Sequence, residues 1–305
     1  VRVLVRDRQR LPAALQARCE VVQGDLLDAL AVGAAVAQVH IVFHCAANVS
    51  TWDSYANYYA VNVQGVQCLT QAITEFNPAL SRLVHVSTVD VYGFPDVPCS
   101  EMDAATGGDF SYGITKLAGE NWVRTWGDAA GVAYTIIRPC NVIGPGSQFV
   151  ARIGAELASG LMLTVAGGRT HAGLVYVDNL IDDMLWASSA PIAQGECYNV
   201  RDDNAVSWAM FVGDFRRAIA GKGWVLNLPF AIADAVAWGA EAVHKQLLPR
   251  HEPLLHRLLV RFFGKTCGHD ITKLKAHRGA GYVTAKVGYD EAMRRSVAWF
   301  KDGNE

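Results

Sequence analysis

The strongest constraint on the fold of this chain is an alternation. Three short apolar runs, HIVFHC at 40–45, LVHVS at 83–87 and AYTII at 133–137, are separated by stretches of helical periodicity at 55–76 and 112–126. Runs of this length and composition read as strands buried on both faces, as parallel strands are. Strands that alternate with helices form βαβ units. VRVLV at 1–5 and CEVVQ at 19–23, the latter closed by Gly24 and Asp25, extend the series at the amino end. The expected fold class is α/β, a doubly wound parallel sheet of the Rossmann type over residues 1–140. Past Pro139 the alternation loosens into a GPGS turn at 144–147, isolated strand-like pieces at 175–177 and 197–200, and a mostly helical final third. That portion, 141–305, reads as a smaller substrate-binding lobe, interleaved with the sheet domain, to which 174–190 returns.

Composition narrows the function. Of the 305 residues 51% are hydrophobic, enough for two lobes around substantial cores, and a formal charge of -2 provides no basic surface for nucleic acid. Seven cysteines, odd in number and without a CxxC pair, suit a reducing, cytoplasmic setting better than a disulfide framework. No histidine pair has metal-ligand spacing, so no metal is expected. The most membrane-like stretch, WVLNLPFAIADAVAWGAEAV at 224–243, contains Pro229, Asp234 and Glu241, which argue against a spanning helix. It is expected either to cover an apolar pocket or to lie in a membrane surface, a peripheral contact.

The chemistry-bearing residues are local. In YGITK, Tyr112 and Lys116 lie one helical turn apart on one face. A tyrosine with an ordinary pKa of about 10 exchanges protons poorly at neutral pH, and a neighbouring ammonium favours its phenolate. Such a tyrosine can give a proton to a carbonyl oxygen, or take one from a hydroxyl, while hydride moves. Upstream, HVSTVDVYG ends a strand in two hydroxyls, Ser87 and Thr88, at the carboxyl edge of the sheet, where ligands bind in such folds. In HCAA, Ala46 and Ala47 are small enough to let a dinucleotide approach the backbone.

Together these residues resemble the extended short-chain dehydrogenase/reductases, of the NAD(P)-dependent epimerase/dehydratase type. The resemblance rests on GDL (24–26), HCAA, VNVQG (61–65), STVDVYG, YGITK, RPCNVIGPG (138–146), YVDN (176–179) and SVAWF (296–300), in that order. It implies that Tyr112 is the catalytic acid/base and that Lys116 holds the nicotinamide ribose and tunes the tyrosine. It makes Thr88 the catalytic hydroxyl, with Ser87 as the fallback. It assigns Asp25 and Leu26 to the adenine, Ala46 to the cofactor cleft, Pro139 to the nicotinamide, and Asn62 to a brace beneath the ribose or a purely structural role. It also implies a homodimer joined through the helices at 55–76 and 112–126.

In this fold the first strand leads into a glycine-rich turn, and no such loop stands near the amino end. VRVLVRD resembles the family's second strand, whose end faces the adenosine ribose. Arg6 there favours NADP(H) over NAD(H), since an arginine accommodates the 2′-phosphate, while Asp7 keeps NAD open. A strand, loop and helix of about 25–30 residues would then precede Val1. The chain is expected to be a fragment that lacks them and binds its cofactor weakly.

The resemblance also bears on the reaction. Val89 stands where dehydratases carry the first acid of an Asp-Glu pair, and Ala172 where nucleotide-sugar enzymes carry a diphosphate-gripping arginine. Asn141 matches an epimerase-like position; with Asp90 it is a candidate substrate contact. The apolar segments of the second lobe suit a hydrophobic small molecule. The resemblance points to the 3β-hydroxysteroid and sterol-4-carboxylate dehydrogenase branch, and so to interconversion of a secondary alcohol and a ketone on a sterol-like or 3-oxoacyl-like substrate. A nucleotide-sugar 4-epimerase and a non-catalytic cofactor sensor are the alternatives.

Overall fold

The computed structural model describes residues 1–248 and 251–303, apart from the side chain of Lys245. The chain divides into two compact units. The first comprises Val1–Ser87, Ala105–Ile137 and Trp186–Cys197; the second comprises Thr88–Ala104, Arg138–Leu185 and Tyr198–Glu305. This differs from the division expected at residue 140. The segment after Ser87 belongs to the second unit, and the piece that returns to the first is Trp186–Cys197 rather than 174–190. The buried Arg82 helps hold that returning piece, because its guanidinium donates to the Ala187 carbonyl and to Thr135 Oγ1, each at 3.0 Å.

In the first unit, strands β1 (Arg2–Val5), β2 (Glu20–Gln23), β3 (Ile41–His44), β4 (Arg82–Val86) and β5 (Tyr134–Pro139) alternate with helices α1 (Ala13–Gln16), α2 (Ala29–Val36), α3 (Tyr55–Tyr59), α4 (Gly65–Phe76) and α5 (Ser111–Ala130). All the strand pairs described here are parallel: β1 with β2, β3 with β4, and β4 with β5. The strands form two sheets, β1-β2 and β3-β4-β5-β9, where β9 is Cys197–Val200. Among the described residues no strand joins the two. The apolar runs are strands for the expected reason: Leu83, Val84 and Ile136 are fully buried, and burial of each such side chain contributes about 1.5–3 kcal/mol. β5 runs through Arg138 to Pro139 instead of stopping before them. Proline lacks only the N–H, and ladder bonding resumes at the next residue, where the Cys140 N–H donates to the Val200 carbonyl at 2.9 Å. The expected helix at 55–76 contains a π-helical turn, Ala60–Gln64.

The second unit holds β6 (Asn141–Ile143) paired with β8 (Leu174–Tyr176), and β7 (Leu161–Val165) paired with β10 (Trp224–Leu228), both parallel. The segments expected as isolated strands therefore have partners. Its helices are α6 (Gln148–Ser159), α7 (Val177–Ala187), α8 (Trp208–Ile219), α9 (Phe230–Leu247), α10 (Arg257–Gly264), α11 (Thr272–Arg278) and α12 (Tyr289–Lys301). An aromatic core built on Trp208, Phe211 and Phe215, all fully buried, packs with Phe149, Phe262 and Phe263. The stretch at 224–243 is a strand and then a helix, broken at Pro229. No described helix is long and apolar enough to cross a membrane.

Candidate active site

In the first unit the candidate residues gather where β3 and β4 end beside α5. Tyr112 lies in the first turn of α5, partly buried, with its ring 6.2 Å from that of Tyr58. Tyr58 is fixed in turn by donating to the Ser50 carbonyl at 2.6 Å. One turn on, Lys116 is 3% exposed, and its Nζ donates to the Val86 carbonyl at 2.7 Å. Burial lowers this ammonium from 10.5 to about 8, while Glu120, on the next turn, and Cys45 act in the opposite sense.

Two buried histidines face this cation, and the sequence reading did not single them out. His44 and His85 occupy paired positions in β3 and β4, and their rings stack at 5.3 Å. Burial first, and Lys116 second, lowers His44 to about 3 and His85 well below its ordinary value, so both are neutral at physiological pH. Ser87 follows β4. Its backbone N–H donates to Ile137 at 2.7 Å, but its hydroxyl, 4% exposed, has no partner among the described residues.

Asn62 sits in the π-helical turn, 2% exposed. Its Oδ1 accepts from the Asn48 N–H at 2.8 Å, and its Nδ2 donates to Thr115 Oγ1 at 3.1 Å and to the Asn48 carbonyl at 3.3 Å. It thus ties the loop after HCAA to α5. The approach requires Gly119, since a Cβ there would lie 2.3 Å from the Asn62 carbonyl oxygen.

Whether these residues suit a dinucleotide can be judged position by position. Ala46 is exposed and Ala47 partly so, and neither has a side chain that would obstruct a ligand. Arg6 is exposed at the end of β1, and among the described residues its guanidinium has no partner. Asp25 is exposed, with one carboxylate oxygen accepting from the Leu27 N–H at 3.0 Å. Leu26 packs against Gly65. The nicotinamide-ribose and adenosine ends therefore have suitable residues. The α2 N-terminus offers no seat for a diphosphate, because the Asp28 carboxylate already accepts from the N–H groups of Leu30 and Ala31.

The remaining candidates lie in the second unit. Thr88 is buried and caps the turn Val89–Tyr92, its Oγ1 accepting from the Asp90 N–H at 3.2 Å. Gly93 closes that turn with φ at 78°, a left-handed conformation that suits glycine. Among the described residues nothing donates to the Asp90 carboxylate, and burial raises it to about 7. Pro139 is buried at the end of β5. Asn141 is less open than a substrate contact should be, since its Nδ2 donates to the Ala172 carbonyl at 2.6 Å. Tyr92, the last residue of that turn, accepts from Arg138 at 2.7 Å and donates to Asn199 Oδ1 at 3.0 Å.

A parallel α/β unit with a tyrosine and a buried lysine one turn apart on the helix that flanks its strand ends defines a nucleotide-dependent enzyme of the extended short-chain type. Residues 1–200 match the NAD dependent epimerase/dehydratase family, and the chain belongs to that family. It is 29% identical over 311 residues to a 2-alkyl-3-oxoalkanoate reductase of Stenotrophomonas maltophilia, an alignment covering 97% of this chain and 91% of the relative. It is 24% identical over 304 residues to a 3beta-hydroxysteroid-dehydrogenase/decarboxylase of Arabidopsis thaliana, covering 93% of this chain and 52% of that longer protein. In fold it resembles the UDP-glucuronic acid 4-epimerase of Bacillus cereus crystallised with NAD, at a TM-score of 0.73 and 17% identity, over 95% of this chain and 82% of the other.

Proposed function

We propose that the chain interconverts a secondary alcohol and a ketone on an apolar substrate, of the 3-oxo acid or sterol class, with NADP(H) preferred over NAD(H). The observation that carries this reading is Lys116, a buried cation held on the Val86 carbonyl one turn from Tyr112. The names of the relatives, an oxoalkanoate reductase and a hydroxysteroid dehydrogenase, point to the same chemistry. The unpartnered guanidinium of Arg6 supports the phosphorylated dinucleotide.

The dinucleotide, when bound, supplies or takes the hydride. In the direction of reduction, the Tyr112 phenol gives its proton to the carbonyl oxygen as that oxygen gains charge. A phenol of pKa about 10 is slow in this role, and the Lys116 ammonium stabilises the phenolate left behind. The Lys116 bond to Val86 keeps that charge in place without a reorganisation cost during the step. Thr88 Oγ1 accepts from the Asp90 N–H, so its hydroxyl retains its own proton as a donor.

The nucleotide-sugar alternative is weaker. At the position where a diphosphate-gripping arginine was sought, Ala172 is fully buried and has no polar side chain to offer. The test follows a 2-alkyl-3-oxoalkanoate and a 3-ketosteroid with NADPH and NADH by nicotinamide absorbance, and UDP-sugars with the oxidised dinucleotides by analysis of the sugar, since an epimerase returns its hydride and leaves no net absorbance change. Oxidation of NADPH by the oxo acid or the ketosteroid is expected. Turnover confined to UDP-sugars would refute it.

A further inference from the structure

In the second unit, α9 carries its apolar side chains outward. Its buried positions are small: Ala233 and Ala237 are fully buried. Its acids turn toward α10, with Asp234 meeting Arg261 at 3.3 Å and Glu241 accepting from the Arg257 N–H at 2.7 Å. The outward side presents Ile232, Val236, Val243 and Leu247 as a stripe along one edge and Trp238 along the other, all 53–73% exposed, with Ala235 and Ala242 exposed between them. Trp224, at the start of β10, is 79% exposed. An 18-residue helix is about 27 Å long, so this apolar face is far larger than the scattered surface hydrophobics of an ordinary monomer.

Charge indicates what covers it. The outward stripe holds no acid. Beside Trp224 stand two exposed bases, Lys222 and Arg216, the latter donating to the Gly221 carbonyl at 3.3 Å. The sequence at 244–251, HKQLLPRH, is again rich in bases. An apolar helix with tryptophan on its outward side and bases at its edges matches the interfacial zone of a bilayer, where indoles sit at the headgroup level and lysine and arginine meet anionic lipids.

We propose that the α9–β10 face lies in the surface of an anionic lipid bilayer, parallel to it and without crossing it. The inference does not depend on the substrate reading, and its test uses no turnover. The chain is sedimented with vesicles of phosphatidylcholine, with or without phosphatidylserine. Binding is expected with phosphatidylserine present. Trp238→Glu and Val236→Glu should each weaken it at least about tenfold, with unchanged circular dichroism and thermal midpoint, since both positions are exposed. Arg216→Gln with Lys222→Gln should remove most of the preference for phosphatidylserine. Failure to sediment with either vesicle, or undiminished binding by folded Trp238→Glu, would overturn the proposal. So would a dimer in analytical ultracentrifugation that Trp238→Glu dissociates, with no vesicle binding by the parent chain, because the face would then belong to a second copy.

Discussion

Lys116→Met should make the protein more stable at neutral pH while removing its activity. Lys116 is 3% exposed, and burial lowers it from 10.5 to about 8. At about 1.4 kcal/mol per tenfold change, holding the charge costs about 3 kcal/mol at pH 7. Methionine has a similar reach and no charge, but leaves the Val86 carbonyl without this donor, a loss of about 1–2 kcal/mol. The net gain expected is about 1–2 kcal/mol. The pH dependence follows from the direction of the shift. Between about pH 8 and 10.5 the folded protein has shed the lysine proton while the unfolded chain retains it. Wild-type stability therefore rises through that window relative to the variant. By about pH 10.5 the order should reverse, because the charge penalty is gone and only the lost hydrogen bond remains. Urea unfolding of both proteins across this pH range is the assay. A variant that is less stable at neutral pH, by an amount that does not change with pH, would refute the argument that Lys116 is held charged against its burial.

Three further outcomes are expected. His44→Leu should reduce acid sensitivity: His44 is lowered to about 3, so wild-type stability falls as pH drops from about 6.5 toward 3. Urea unfolding should show the variant gaining about 2–3 kcal/mol on the wild type between pH 7 and about pH 4.5. Gly119→Ala should lower the thermal midpoint, because the new Cβ would meet the Asn62 carbonyl at 2.3 Å; an overpacking cost of about 1–3 kcal/mol exceeds the roughly 1 kcal/mol gained in helix propensity. Arg6→Gln should weaken NADPH binding about tenfold and leave NADH unchanged in fluorescence titration.

The strands were legible because their burial on both faces appears directly as short apolar runs, and Tyr112 with Lys116 because one helical turn is a local relation. What escaped the sequence depends on contacts distant along the chain. The stacking of His44 on His85 requires the register of β3 against β4, which no local pattern encodes. The Asn48–Asn62–Thr115 brace links residues 14 and then 53 positions apart in sequence. The segment Trp186–Cys197, which returns to the first unit, is held in part by Arg82, a charged residue with no compositional sign of being buried. At 224–243 a mostly apolar run did not separate strand from helix, and Pro229 marks the change. The outward face of α9 was hidden for a related reason, since hydrophobic periodicity alone does not tell which side of an alanine-rich helix is buried.

The central claim is that Tyr112 exchanges the proton while an apolar ketone is reduced. Its most direct test is single-turnover oxidation of NADPH by a 2-alkyl-3-oxoalkanoate or a 3-ketosteroid, with the wild type and Tyr112→Phe side by side and NADPH affinity measured for both. The account predicts turnover by the wild type, and loss of at least about a hundredfold in the variant with cofactor affinity nearly unchanged. Turnover by Tyr112→Phe at the wild-type rate would contradict it.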